Sequence, residues 1–356
     1  MDAGHFDSDV IVIGGGPGGS AAAITCASLG LRVRLLESDP RPSCRPGETL
    51  HPGVATVLAQ LGVADRLASA VGSRHTGIRI KWGSETRFDP YGQDNSGVWL
   101  GYQVRRSEFD ALLLNRAREL GVDIHRPCSA RKVAVSDGVV SGVMTTEGTM
   151  TAPMVVDASG RSHWLGTELA IERHTYSMPL VARYGYAEGL LPFHDEAPQL
   201  IGDASGWLWT AMIHPGLYQW TRVALDGTKI PAGWYPDEFQ LLTPVGPPRG
   251  TDVTWRLSKS VAGPGWFSVG DAAALLDPTA AKGILKALLS GITAGKLIAG
   301  VLNGHSSATE AASVYNSWLS DWFLNDAKKL IHFYSELDVA GFSDAATHRL
   351  AATKLT

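Results

Sequence analysis

Apolar and polar positions change period several times along the chain. Val10 to Ile13 is a short β-branched run, six residues rich in glycine follow, Ala21 to Leu29 has helical character, and Val33 to Leu36 is again β-branched and apolar. This order predicts a βαβ unit. Residues 41–53 (RPSCRPGETLHPG) are dense in proline and glycine and predict an ordered loop, with a helical stretch over 54–70 behind it. Arg106 to Leu120 carries apolar residues at helical spacing and stops at Gly121, a good C-terminal cap. From Lys132 to Val156, turns at Asp137-Gly138 and Glu147-Gly148 separate three runs, predicting an antiparallel meander that ends in Val155-Val156-Asp157. Between Tyr176 and Ser260 the pattern becomes aromatic and alternating (179–186, 207–213, 218–225), which predicts a separate mixed or antiparallel sheet. Trp266 to Val269 reads as a last strand running into Gly270-Asp271, and the chain from about Ala280 onward reads as helical. The class is α/β.

Composition narrows the partners. The 356 residues carry 31 Lys+Arg against 35 Asp+Glu, a formal net charge of −4, so no long basic run exists to neutralise a nucleic-acid backbone. The three cysteines, Cys26, Cys44 and Cys128, form neither a disulfide framework nor a paired metal spacing, and no metal site is expected. The polar start lacks the basic and apolar regions of a signal peptide, and a cytoplasmic location is expected. The apolar stretch over 284–304 is interrupted by Lys286, Lys296 and four glycines and reads as a buried helix rather than a membrane span. Tryptophan is over-represented: 11 residues, against 9 tyrosines and 9 phenylalanines. Trp207, Trp209, Trp220, Trp234, Trp255 and Trp266 fall in or beside the aromatic sheet, where indole rings could wall a pocket for a planar substrate.

Gly14-Gly15-Gly16-Pro17-Gly18-Gly19 fits G-x-G-x-x-G, placed directly after a strand and opening a helix, and Glu37 closes the next strand. Gly14 permits the tight turn, Gly16 lets the backbone approach a pyrophosphate at the helix N-terminus, and Gly19 lets helix and sheet pack closely. Glu37 would accept from adenosine ribose hydroxyls and repel a 2′-phosphate, which favours FAD or NAD over NADP. No second fingerprint follows. The electrons therefore come either from NAD(P)H visiting a groove or from a separate flavin reductase.

Three further segments resemble the flavoproteins of the p-hydroxybenzoate hydroxylase and flavin-dependent halogenase superfamily. Arg106 in V-R-R-S-E-F-D matches the arginine that contacts the FAD phosphate region in that family. Asp157-Ala-Ser-Gly160-Arg161 matches its D-A-S/D-G-R segment, and Gly270-Asp271 through Pro278 matches its G-D-A-x5-P element. The resemblance implies that Asp271 binds ribityl hydroxyls and that Pro278, with the helix after it, lies beside the isoalloxazine ring. It also implies that Arg45 and Glu48, in R-P-G-E-T, belong to a loop near the flavin. The fold implied is a GR2-type Rossmann-like FAD domain (1–175 and 261–305) with an inserted sheet (176–260, with parts of 70–105) for the substrate and a helical C-terminal segment (306–356).

The chemistry of the site follows in part from the residues themselves. A helix starting near Ala280 aims unpaired N–H groups at what lies before it, and Lys282 in its first turn adds positive charge there, which would stabilise an anionic reduced flavin. His51, beside the flavin loop, is the candidate for steering protons near neutral pH. The segment Gly206-Trp207-Leu208-Trp209-Thr210-Ala211 partly resembles the halogenase W-x-W-x-I-P signature but has Ala211-Met212 where Ile-Pro would stand. Halogenases also use a lysine to carry or position hypohalous acid. In H-T-G-I-R-I-K-W-G that position holds His75, and Lys81 is displaced to just before Trp82.

A nearer match is the group of flavoproteins that hydroxylate tryptophan in a partner protein during biogenesis of cysteine tryptophylquinone cofactors. It rests on Leu180 to Tyr186, on Gly206 to Ala211, on Tyr218 to Arg222, and on the run from Asp277-Pro278 to Gly283-Ile284 and Leu288. The expectation is an FAD- and O2-dependent monooxygenase acting through a C4a-hydroperoxide on an electron-rich aromatic substrate, either a small molecule or an indole within a peptide or protein. The alternatives are a halogenase, a reductase or dehydrogenase of an unsaturated lipid or carotenoid, and a silent FAD-binding subunit.

Overall fold

The computed structural model describes residues 6–41, 45–82, 85–95, 97–191, 196–336 and 342–352. Cys44 lies outside them. The helices are α1 (Pro17–Ser28), α2 (Val54–Gln60), α3 (Arg106–Glu119), α4 (Trp164–Glu168), α5 (Gly283–Leu302), α6 (Ala308–Glu336) and α7 (Phe342–Ala352).

Val10–Ile13 lies inside a six-stranded sheet, in the order Asp123–His125, Val33–Leu36, Val10–Ile13, Met154–Asp157, Trp266–Ser268, Ala262–Gly263. The first five strands are parallel and the last pairs antiparallel. Alternate residues of the central strand enter two different cores. Val10 and Val12 face the helices, while Ile11 and Ile13 pack with Val143, Met150 and Trp266 under the meander. The register puts Ile13 opposite both Leu36 and Asp157, and Asp157 opposite Ser268. The carboxyl ends of four strands are thereby level, so the glycine loop, Glu37, Asp157 and Gly270-Asp271 emerge along one sheet edge, where α/β folds bind their ligands.

The meander runs over Ala130–Ser136, Val139–Thr145 and Gly148–Thr151. It stops short of the expected end: Ala152-Pro153 breaks it, and Met154–Asp157, buried throughout, is a central strand of the parallel sheet. Continuous burial on both faces is what a parallel strand requires, whereas the meander strands are exposed on one side. The helix expected over 54–70 is also divided. Gly62, at φ +70°, separates α2 from a 3₁₀ turn over Ala64–Ser69.

The long apolar helix α5 satisfies the length and composition of a membrane span, yet it packs along α1. Their glycines set the distance: a Cβ on Gly291 would lie 2.2 Å from the Gly18 carbonyl oxygen. The aromatic region forms an eight-stranded mixed sheet in which Gly77–Trp82 pairs parallel with Gln199–Asp203 and antiparallel with Glu85–Pro90. A small sheet of Thr49–Leu50, Gly101–Val104 and Val71–His75 joins the two halves.

Candidate functional site

The residues along the sheet edge fit FAD. Gly14 has φ +105°, and a Cβ there would lie 2.4 Å from the Ala158 carbonyl oxygen. A Cβ on Gly19 would meet the Gly14 carbonyl oxygen at 1.9 Å, while Gly16 has open space in front of it. Gly16 is the N-cap of α1 and Pro17 follows at its first turn, with no side chain capping the helix, so its N–H groups face outward for an anion. Glu37, buried, accepts from Gly15 N at 2.8 Å and Asp39 N at 2.7 Å. It lines a pocket with Arg41, Asp110 and Arg126. Arg45, expected in a loop near the flavin, lines this same pocket and faces Asp39 at 3.4 Å.

The rest of the R-P-G-E-T loop turns toward the start of α5. Arg106 grips Asp110 through two bonds of 2.9 and 3.0 Å and donates to the Pro46 carbonyl at 2.6 Å, fastening the loop. Gly47, at φ +111°, lies against Arg106 and Ile284. Glu48 is buried and accepts from Tyr186 OH at 2.5 Å and Gly47 N at 2.9 Å. Burial pushes its carboxyl upward, and the neighbouring Arg106 opposes that shift. Asp157 is buried and accepts from Ser159 N and Leu165 N, each at 3.0 Å, so it shapes the D-A-S-G-R turn. Gly270 sits at φ +59°, and the partly exposed Asp271 carboxylate faces Arg161 at 3.6 Å.

Pro278 begins a 3₁₀ turn, Ala281 is left-handed at φ +49°, and α5 starts at Gly283 with Lys282 as its N-cap. Among the described residues no side chain caps α5, and a Cβ on Gly283 would meet none of their atoms within 4 Å. Its first amides and Lys282 are therefore available to an electron-rich ring edge. His51 belongs here too. Burial, and secondarily the charge of Lys282, lowers its pKa, and its Nδ1 accepts from Gly53 N at 3.1 Å.

Two clusters complete the site. Tyr91 stands between His51 and His75, with ring centroids 5.6 and 5.5 Å away. His75 is buried; its Nδ1 faces the Gly77 carbonyl at 3.1 Å and its Nε2 faces Gln103 Nε2 at 3.2 Å. Thr49 Oγ1 donates to Gln103 Oε1 at 3.0 Å, which turns the amide N–H toward the ring. The imidazole is thus neutral with both nitrogens engaged, and burial pushes its pKa down to about 4. It borders an open depression of about 480 Å³ with Arg74, Arg79 and Phe88.

The second cluster surrounds Asp277. Its carboxylate accepts from Trp255 Nε1 at 2.7 Å, Tyr334 OH at 2.9 Å, Thr279 N at 3.0 Å and the Thr279 hydroxyl. Trp207 Nε1 donates to Tyr334 OH at 3.1 Å. Trp207 and Trp255 thus reach the turn that opens α5, and Trp209 is buried on the same strand as Trp207. Trp220 and Trp234 pack edge to face in the outer core, and Trp266 lies under the meander. Tyr186, Tyr91, Asp277 and Tyr334 carry no local motif. Tyr186 belongs to the aromatic run over 179–186 and Asp277 to the segment leading into Pro278, whereas Tyr91 and Tyr334 carry no signal of this site in their own segments.

A family model described as FAD dependent oxidoreductase matches residues 9–165. The chain is 26% identical over 360 residues to a tryptophan 2-halogenase of Chondromyces crocatus, covering 91% of this chain and 67% of that protein. It is 27% identical to a digeranylgeranylglycerophospholipid reductase of Thermoplasma acidophilum, covering 96% and 90%. The solved structure of a myxobacterial chondrochloren halogenase superposes with a TM-score of 0.84 at 25% identity, over 95% of this chain and 85% of that one. These similarities lie with halogenases and a lipid reductase, in place of the tryptophan-hydroxylating flavoproteins expected from the sequence.

Proposed function

We propose that this FAD-dependent oxidoreductase is an enzyme of the flavin-dependent halogenase type, which uses reduced flavin, dioxygen and halide to replace a hydrogen on an electron-rich aromatic ring by halogen, the dioxygen oxidising the halide and leaving as water. The observation that carries the reading is the strand Gly206–His214. It keeps the paired tryptophans of halogenases and ties Trp207, through Tyr334, to Asp277 at the flavin-side turn. Bound FAD would supply two-electron redox chemistry and activation of dioxygen. The α1 N-terminus would hold the pyrophosphate, Glu37 the adenosine ribose, and Asp271 the ribityl chain. The amides at Gly283 and Ile284, with Lys282, balance negative charge on the ring edge. His51, held below the ordinary histidine range by burial and secondarily by the charge of Lys282, would exchange a proton at Nε2. Trp207 and Trp209 fill the wall and exclude water.

One observation favours a second reading, in which oxygen rather than halogen reaches the ring, of a small molecule or of a peptidyl indole. His75, at the position of the halogenase lysine, is a neutral imidazole with both nitrogens occupied, and it offers no ammonium to hold hypohalous acid. Turnover of reduced enzyme with dioxygen, bromide and a panel of indoles, phenols and tryptophan peptides separates the two by product mass. Brominated product supports the first reading, and addition of one oxygen independent of bromide supports the second. Flavin reoxidation without modification of any aromatic substrate overturns both.

A further inference from the structure

We propose that Tyr334 of α6 is a positioning residue for the flavin. Together with Asp277 it holds the turn that aims the start of α5 at the cofactor. The proposal rests on the FAD-binding fold and is independent of whether halogen or oxygen is transferred.

The turn needs holding. Between Pro278 and Gly283 the backbone passes through Ala281 at φ +49°, a left-handed conformation that an alanine adopts only under restraint. The restraint comes from Asp277, immediately before the turn. This carboxylate is 95% buried, and its hydrogen-bond donors among the described residues are all neutral, an indole N–H, a backbone N–H and two hydroxyls, with the Lys286 ammonium, paired to Asp326, acting on it only through its field. They come from separate parts of the chain. Trp255 precedes the strand Arg256–Ser258, Thr279 belongs to the turn itself, and Tyr334 lies near the end of α6.

Tyr334 is the keystone of the set. Its hydroxyl donates to Asp277, contacts the Thr279 hydroxyl and accepts from Trp207, so one oxygen joins α6 and the tryptophan strand to the turn. Phe342 of α7 packs edge to face on both Tyr334 and Trp255. The neighbouring Phe333 reaches Trp82 of the substrate sheet at 6.1 Å between centroids. Removing the hydroxyl leaves the Trp207 N–H unpaired and Asp277 short of a donor in a dry site. The turn then relaxes, and the Gly283 and Ile284 amides lose their aim.

The test measures FAD affinity by flavin fluorescence, and the midpoint potential of the bound flavin, on the full chain. Tyr334→Phe is expected to raise the FAD Kd about tenfold or more, the effect of losing one buried hydrogen bond, and to move the potential. Phe333→Leu loosens the same helix without touching the hydroxyl network and is expected to lower Tm while leaving Kd and potential near those of the parent. Thr279→Val removes a second hydroxyl from Asp277 without altering α6. It should reproduce the Tyr334→Phe phenotype, and Thr279→Ser should restore the parent values. Should Tyr334→Phe fail to fold, the Thr279 pair decides alone. Equal effects of Tyr334→Phe and Phe333→Leu on Kd, or an unchanged Kd and potential in Thr279→Val, would overturn the proposal.

Discussion

A neutral imidazole and an ammonium differ most in a dry pocket, where an unpaired charge is expensive and an engaged ring is silent. His75 is the engaged ring: its Nδ1–H donates to the Gly77 carbonyl, and the Gln103 amide, oriented by Thr49, donates to its Nε2. Its pKa of about 4 in the fold lies below the ordinary value of 6.5, so the unfolded chain binds more protons between those two values. The stability it contributes is complete above pH 6.5 and is lost as the pH falls toward 4, about 3 kcal/mol over the whole interval. His75→Gln lacks a titrating ring and keeps an amide able to bond Gln103. Urea unfolding at pH 7 and at pH 4.5 should show a smaller loss on acidification in the variant than in the parent. Parallel losses in the two proteins would refute the assignment of this window to His75.

Among the elements, α1 and α5 are the two whose uncapped N-termini would serve the cofactor, each at a different end of it. Their axes are held close by glycine against glycine. A Cβ on Gly291 would meet the Gly18 carbonyl at 2.2 Å and the Ala22 amide nitrogen at 2.9 Å, both rigid backbone atoms inside helices. Gly291→Ala gains helix propensity but must push α5 outward, and overpacking of this kind costs about 1–3 kcal/mol. The expected result is a lower Tm together with weaker FAD binding, read by thermal melting with and without added FAD. Retention of parental FAD affinity would mean that the two helix ends are positioned independently.

This contact also explains what the sequence revealed. Gly14 to Gly19, Asp157 to Arg161 and Gly270-Asp271 are contiguous patterns whose backbone demands are local, and the strand register brings them together at one edge. The Asp277 network joins residues 57 and 127 positions apart, each an ordinary tyrosine, tryptophan or aspartate in its own segment. The His51, Tyr91 and His75 rings likewise meet only after the small sheet has formed. The meander boundary is not legible in the sequence for a related reason: Val155 to Asp157 has the composition of a strand, and only its partners decide which sheet receives it.

For the whole molecule, the supply of electrons depends on how many nucleotide sites the fold offers. The sequence contains one glycine fingerprint, which stands at the edge of the parallel sheet and would be taken up by the pyrophosphate of FAD. The other large sheet is mixed, and its single parallel pair, Gly77–Trp82 with Gln199–Asp203, is not joined by a glycine loop and helix of that kind. A nicotinamide nucleotide would thus lack a helix N-terminus of its own for its pyrophosphate, and its residence near the flavin should be brief. Anaerobic mixing of the FAD-loaded protein with NADH or NADPH should bleach the flavin slowly. Dithionite, or a separate flavin reductase with its nucleotide, should produce reduced enzyme competent for reaction with dioxygen. The measurement is flavin absorbance in a stopped-flow instrument, compared with the rate of product formation. Reduction by NADH or NADPH alone at or above the turnover rate would establish a nucleotide groove and make a reductase partner unnecessary. Slow direct reduction, with product formed only from chemically or enzymatically reduced protein, would identify this chain as the oxygen-handling half of a two-protein system.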